Sequence, residues 1–146
     1  IRILLPGRPN GRQGWIRQDA AVLKVLNTWV RVSTKKRTME IYVNGQLKKR
    51  VKVAVGTGGT PTPKGLAAVQ DVVPTRGQLG PYILVLTAHS TVLKTFAGGN
   101  GVVGIHGTNQ PGLIPGRPSH GCIRVKNPDI ARLYRMLPLG TPLLVR

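Results

Sequence analysis

The stretch that decides the fold and the chemistry spans residues 105–124. It reads Ile105-His106-Gly107-Thr108, then a loop rich in glycine and proline, then Ser119-His120-Gly121-Cys122-Ile123-Arg124. Cys122 is the only cysteine in the chain. A thiol near an imidazole can exist as a thiolate at neutral pH, so this pairing favours nucleophilic acyl chemistry. Most lone cysteines are small buried hydrophobes, but the polar neighbours His120 and Arg124 favour a nucleophile at Cys122.

The rest of the chain is predicted to be mainly β-structure. Alternating apolar and polar residues, bounded by glycine and proline, predict short strands at 28–33, 38–43, 47–55, 82–89, 92–96, 102–106, 122–125 and 143–146. Asn44-Gly45 predicts a tight hairpin turn, because both central residues of such a turn need positive φ. The glycine- and proline-rich residues 56–65 predict a loop.

One helix is predicted near the C-terminus. Asn127 is the expected N-cap, with Pro128 at the first helical position and Asp129 near the positive end of the dipole. An apolar stripe follows at the i, i+3, i+4 and i+7 positions, namely Ile130, Leu133, Tyr134 and Leu137. Pro138 and Gly140 are expected to end the helix.

The N-terminal segment reads differently from the rest. Residues 1–20 predict a hairpin around a basic turn, which we interpret as the tail of an SH3-like module lying upstream, while residues 21–146 form the main domain. Because the chain begins at Ile1 and not Met, we expect that a signal or anchor that exported it has been removed. No apolar run in the chain reaches the length of a membrane span.

The charge is strongly positive. The 146 residues carry 22 Lys and Arg against four acids, a net charge of +18, which favours polyanionic surroundings such as nucleic acid or an anionic cell wall. Aromatic residues make up only 4%, so stacking platforms are scarce, and no nucleic-acid-binding motif is present. We therefore expect anionic cell-wall polymers, and no specific nucleic acid, as partners.

The two short motifs closely resemble the signature of the L,D-transpeptidase catalytic domain, the YkuD-type fold of bacterial peptidoglycan enzymes. The Asn44-Gly45 hairpin, the loop from Thr60 to Gly65 and the closing strand from Gly140 to Val145 are similar to that family as well. The resemblance runs from about Val30 to the C-terminus. It implies a mixed β-sandwich or barrel-like sheet with one capped helix, and an extracytoplasmic location in the cell wall or periplasm.

The resemblance also implies roles for residues around the thiol. Cys122 is expected to be the nucleophile and His106 its general base, which later acts as the acid. The carbonyl of Gly107 is expected to orient the imidazole. The backbone N–H groups of Gly121 and Cys122, joined by that of His120, are expected to stabilise the oxyanion. His120 is expected to support the turn.

Two further residues are candidates for substrate binding. Arg124 lies two residues beyond Cys122, so on a strand it faces the same side and suits a substrate carboxylate. Ser119 is the second candidate, although hydrogen bonding within its own turn explains it better.

The reaction implied is acyl transfer from a peptidoglycan tetrapeptide stem, with release of terminal D-Ala and transfer to an amine, and with no cofactor or metal. Carbapenem β-lactams are expected to acylate Cys122. Three alternatives stay open: an L,D-carboxypeptidase that uses water, a non-catalytic wall-binding module, and a metal site built from Cys122, His106 and His120.

Overall fold

The computed structural model describes residues 1–146, and strands dominate it. In chain order the strands are β1 (Arg2–Leu4), β2 (Gln13–Trp15), β3 (Thr28–Ser33), β4 (Thr38–Val43), β5 (Gln46–Lys52), β6 (Ala54–Gly56), β7 (Gly65–Pro74), β8 (Tyr82–His89), β9 (Val102–His106), β10 (Gly116–Ser119), β11 (Ile123–Arg124) and β12 (Pro142–Val145). The one α-helix, α1, is Asn127–Met136. Short 3-10 turns lie at Gln18–Ala20, Gly77–Leu79 and Pro111–Leu113. None of these helices has both the length and the hydrophobicity needed to cross a bilayer.

Ten strands form one curled sheet. Their order is β10-β6-β11-β9-β8-β7-β12-β3-β4-β5, and strand accounts for 43% of the chain against 13% helix. The predicted mainly β fold with a single helix near the C-terminus is confirmed. At the predicted hairpin, Asn44 and Gly45 have φ of 51° and 75°, the positive values that this kind of turn requires.

The core lies on one face of the sheet, which we call the core face. Because side chains alternate along a strand, every second residue of β8, β9 and β11 points into it, and the buried set includes Leu84, Leu86, Val103, Ile105 and Ile123. Helix α1 packs against β8 and β9. Ile130 and Leu133 of its apolar stripe are fully buried, as is Leu137 directly after its last residue. Burial of each such side chain is worth about 1.5–3 kcal/mol, so this face fixes how β9 and β11 lie.

The strand predictions differ from the structure at four places. Strand β7 was not predicted at all, and neither was β10. The single strand expected over 47–55 is two strands, β5 and β6. The strand expected over 92–96 is wrong: the Ser90 hydroxyl accepts hydrogen bonds from the amides of Val92 and Leu93 and turns the chain into a loop.

The helix start also differs from the prediction. The N-cap position belongs to Lys126, and Asn127 is the first helical residue. The Asn127 side chain turns away from the helix and accepts a hydrogen bond from the amide of Thr108 at 2.8 Å. Asp129 lies in the first turn as expected and also forms an ion pair with Lys49 at 3.1 Å.

The N-terminal hairpin is a sheet of its own. Strands β1 and β2 pair antiparallel with each other and not with the ten-stranded sheet. Its turn nevertheless contacts the main sheet, where the Gly7 amide donates to the Thr87 carbonyl at 3.4 Å. The predicted hairpin is therefore present, and it rests on the larger domain.

Candidate active site

The candidate active site forms where β9 and β11 run side by side. The two strands are parallel, with Ile123 opposite Ile105 and Arg124 opposite His106. Ile105 and Ile123 point into the core, so His106 and Arg124 lie together on the opposite face, which we call the outer face. Cys122 is two residues before Arg124 and therefore lies on the outer face as well. The long loop between the two motifs thus brings β11, which directly follows Cys122, beside β9, which ends at His106.

The imidazole of His106 is buried and held in one orientation. The residue is 5% exposed, and its Nδ1 lies 2.6 Å from the carbonyl oxygen of Gly107. A carbonyl only accepts, so Nδ1 carries the proton and Nε2 keeps a free lone pair. Burial lowers the pKa of His106 below its usual value, and the charge of Arg124 adds to this, although the bond to Gly107 opposes it. The ring is therefore a neutral base at neutral pH.

The carbonyl that orients the ring is itself fixed by tight packing. A Cβ added at Gly107 would lie 2.2 Å from Asn127 Oδ1 and 3.0 Å from the Cα of Gly80, so only glycine fits there. Asn127 also holds the next amide, that of Thr108. Sequence reasoning assigned Asn127 to the helix start and missed this contact. No local pattern signals it, because the two segments meet only in the fold.

The thiol of Cys122 is partly exposed and is protonated at rest. Burial raises the pKa of the Cys122 thiol, while a backbone hydrogen bond at Gly104 and the charge of Arg124 act in the opposite direction. A thiol near an imidazole can exist as a thiolate, and burial of Cys122 opposes that state. Proton removal has to accompany any attack by this sulfur, which calls for a base nearby.

The turn before Cys122 is stabilised by Ser119. Its hydroxyl donates to the Cys122 carbonyl and accepts from the Gly121 amide at 3.1 Å, and the residue is 1% exposed. Both bonds lie within the turn, so the geometry favours a turn-holding role over the expected substrate contact. Gly121 has φ of 122°, a conformation that favours glycine.

These bonds change the expected oxyanion donors. The Gly121 amide was one of the predicted donors, but it is already bonded to Ser119. The amides of His120 and Cys122 have no hydrogen-bond partner within the protein. The candidate oxyanion donors are therefore the other two predicted amides, which flank Gly121.

The glycine- and proline-rich loop after β6 supports the same turn. The Thr57 amide donates to the Ser119 carbonyl at 3.0 Å, and the Thr60 hydroxyl donates to the same oxygen at 3.3 Å. A Cβ at Gly121 would lie 3.6 Å from the Pro61 carbonyl oxygen. The loop between β6 and β7 therefore packs directly against the thiol-bearing turn.

The two remaining candidates flank the thiol. His120 is exposed, and its ring lies 4.9 Å from the ring of Phe96, centroid to centroid. Arg124 is half-buried, and its Nε is buried without a hydrogen-bond partner in the protein. Arg124 thus presents unused hydrogen-bonding capacity on the face that carries Cys122.

The metal-site interpretation has no support in the geometry. No group of three or more His, Cys, Asp or Glu residues is arranged to hold a metal ion. The three residues considered for it, Cys122, His106 and His120, do not form such a group.

Fold and site together define a mainly β protein with a candidate thiol–imidazole site on the outer face of a curled mixed sheet. The chain belongs to the YkuD family, the L,D-transpeptidase catalytic domain, whose family model matches residues 27–145. It is 34% identical over 113 residues to the Bacillus licheniformis protein named as the L,D-transpeptidase YkuD, covering 77% of this chain and 61% of that one. The chain thus spans about three fifths of the length of that curated relative.

Solved structures agree with this assignment. A mutant L,D-transpeptidase from Enterococcus faecium is 25% identical, with a TM-score of 0.64 over 84% of this chain and 50% of that chain. The L,D-transpeptidase LdtMt1, solved in complex with imipenem, has a TM-score of 0.65 over 82% of this chain and 59% of that chain. Its identity is 16%, so this likeness concerns the fold alone.

Proposed function

We propose that this chain is a cysteine-dependent L,D-transpeptidase that cross-links peptidoglycan. Its acyl donor is a tetrapeptide stem, its nucleophile is Cys122, and its base is His106. The observation that carries the proposal is the parallel register of β9 and β11, together with the bond from His106 Nδ1 to the Gly107 carbonyl. These leave a free imidazole nitrogen on the face that holds the thiol.

In the first half-reaction, Cys122 Sγ attacks the carbonyl carbon of the third stem residue while His106 Nε2 takes the thiol proton. Concerted transfer suits a thiol whose pKa is raised by burial beside an imidazole whose pKa is lowered by burial. The tetrahedral oxyanion accepts hydrogen bonds from the free amides of Cys122 and His120. As the C–N bond breaks, the proton on Nε2 passes to the amine of the departing D-Ala and a thioester remains.

In the second half-reaction, a side-chain amine of a neighbouring stem attacks the thioester. His106 Nε2 removes a proton from that amine, the C–S bond breaks, and the proton returns to Cys122 Sγ. The products are a new amide cross-link and the free enzyme. Water in place of the amine gives L,D-carboxypeptidase activity from the same machinery.

Arg124 is proposed to hold a substrate carboxylate next to the thiol. Its guanidinium shares the outer face with Cys122, and its charge lowers the pKa of both Cys122 and His106. A planar guanidinium binds carboxylates through paired hydrogen bonds. The net charge of +18 suits an enzyme that works among anionic wall polymers, and we propose an extracytoplasmic site of action on that basis.

Turnover of a defined substrate tests the proposal. Purified disaccharide-tetrapeptide is incubated with the protein, and D-Ala release and dimer formation are followed by mass spectrometry. We expect release with the wild type and none with Cys122→Ala, which should keep its binding to peptidoglycan sacculi and its thermal unfolding curve. Release without dimers assigns the carboxypeptidase, and equal behaviour of both proteins assigns the non-catalytic wall-binding module.

A further inference from the structure

The tip of the N-terminal hairpin, residues 6–10, is clamped onto the segment that follows β8. The guanidinium of Arg8 donates to the carbonyls of Asn100 and Leu93, both at 2.9 Å, and to that of Ser90 at 3.3 Å. Three of the five N–H donors of this guanidinium are thus bonded to main-chain carbonyls. The clamp therefore orders both ends of the loop between β8 and β9.

A second contact joins the tip to the end of β8 itself. The side-chain amide of Asn10 donates to the His89 carbonyl at 2.7 Å and accepts from the His89 amide at 2.8 Å. One side chain thus satisfies both backbone groups of His89. The hairpin tip has a fixed place on the catalytic domain.

Between the tip and the sheet lies a cavity of about 370 Å³. Its walls include Pro6 and Gly7 of the tip, Val85 and His89 of β8, and Val102 of β9. His89 is the register partner of Val102. Val102 lies two residues before Gly104 on β9, so the two residues face the same side of the sheet. Gly104 is the residue of β9 that lies opposite Cys122. The cavity therefore opens on the outer face, about 7 Å along β9 from the thiol.

The chemistry of the lining is specific. The side chain of His89 is 5% exposed, and its Nδ1 is buried without a hydrogen-bond partner in the protein. The other polar linings are the amides of Gln70 and Asn100. No charged side chain lines the cavity, although the chain carries a net charge of +18.

This lining combines amides, an imidazole and branched apolar groups, and no Lys, Arg, Asp or Glu is among its residues. It fits an uncharged ligand that offers its own amides, since each buried polar group then finds a partner. We propose that this cavity is a second subsite of the enzyme, which binds an uncharged, amide-bearing segment of the wall substrate and is completed by the N-terminal hairpin. The proposal rests on the proposed function. The segment is an amide of the stem peptide or the N-acetyl group of an attached sugar.

Two variants test the subsite from opposite directions. Val102→Phe fills the cavity without removing a polar group, at a position that is 38% exposed and tolerant of a larger side chain. His89→Ala removes the imidazole but keeps the backbone pair with Asn10. Arg12→Ala is the matched control, because it removes a charge from the same hairpin at an exposed residue.

The readouts are KM and kcat for D-Ala release, and calorimetric binding measured in the Cys122→Ala background. Disaccharide-tetrapeptide and free tetrapeptide serve as the two probes. We expect Val102→Phe and His89→Ala to raise KM and weaken binding roughly tenfold, which corresponds to the loss of about one hydrogen bond. Their kcat should stay unchanged. Arg12→Ala should match the wild type in KM, kcat and binding. Equal losses with both probes assign the stem peptide, and a loss confined to the disaccharide probe assigns the sugar.

The outcomes separate the two proposals. A wild type that releases D-Ala, with KM unmoved in both cavity variants, keeps the transpeptidase and overturns the subsite. A wild type that binds both probes through the cavity but never releases D-Ala keeps the subsite and overturns the transpeptidase.

Discussion

Gly107→Ala should break the hydrogen bond between the His106 imidazole and the Gly107 carbonyl, while the side chains of both proposed catalytic residues, His106 and Cys122, are retained. The new Cβ would lie 2.2 Å from Asn127 Oδ1 and 3.0 Å from Gly80 Cα. Comfortable contacts need about 3.5 Å, so the segment after β9 has to move by about 1 Å. His106 Nδ1 then loses its 2.6 Å bond, and the ring is no longer held in the tautomer that frees Nε2.

A displacement of about 1 Å near reacting groups costs roughly 100-fold in rate. We therefore expect acylation of Cys122 by a carbapenem to slow by about that factor, measured as single-turnover kinetics by intact-mass spectrometry. Overpacking should also lower the free energy of unfolding by about 1–3 kcal/mol. Overpacking can slow acylation simply by unfolding part of the protein, so thermal unfolding is recorded for every variant.

Gly112→Ala is the matched control, since it lies in the same loop and a Cβ there meets nothing within 4 Å. It should acylate like the wild type. Asn127→Ala removes the contact to Thr108 without crowding Gly107, and roughly a tenfold loss is expected, equivalent to about 1.4 kcal/mol. If folded Gly107→Ala and Asn127→Ala both acylate within about threefold of the wild type, the orienting role of the carbonyl is refuted.

Three shorter predictions concern the pH dependence and the turn. Burial lowers the pKa of His106 below 6.5, so kcat/KM should rise with pH and level off before neutrality, and an acidic limb centred above pH 7 contradicts this. Ser119→Ala strands two backbone groups of the turn and should lower the free energy of unfolding by about 1–3 kcal/mol in denaturant titrations; wild-type stability would refute it. Ion pairs with Arg31 and Arg50 lower the pKa of Glu40 from 4.5 to about 2. The contribution of the Glu40 carboxylate to stability is therefore complete above pH 4.5 and is lost as the pH falls toward 2. Glu40→Gln should flatten the fall of Tm across that range, and an unchanged slope counts against the ion pairs.

Local patterns predicted the elements whose signal is contained in a few residues. The Asn44-Gly45 turn and strands β3, β4 and β9 follow directly from turn chemistry and period-two alternation. Strand β7 was missed because its register shifts between Val69 and Asp71, which breaks the alternation, and because its first half is rich in alanine. Strand β10 was missed because it contains Pro118 and pairs with the distant β6.

The site divides in the same way. The order of the two motifs is consistent with the pairing of β9, which ends at His106, with β11, which follows Cys122. The protonation of the thiol, the use of the Gly121 amide by Ser119 and the place of Asn127 beside Gly107 all depend on burial and on segments far apart in sequence. Such features arise only when the whole chain is folded, so the sequence alone could not reveal them.

The most direct test of the paired thiol and imidazole is intact-mass spectrometry with peptide mapping after incubation with a carbapenem. We predict one covalent adduct per chain, located on Cys122, formed far more slowly in His106→Ala and absent in Cys122→Ala. An adduct on another residue, or a rate that is unchanged in a folded His106→Ala variant, would contradict it.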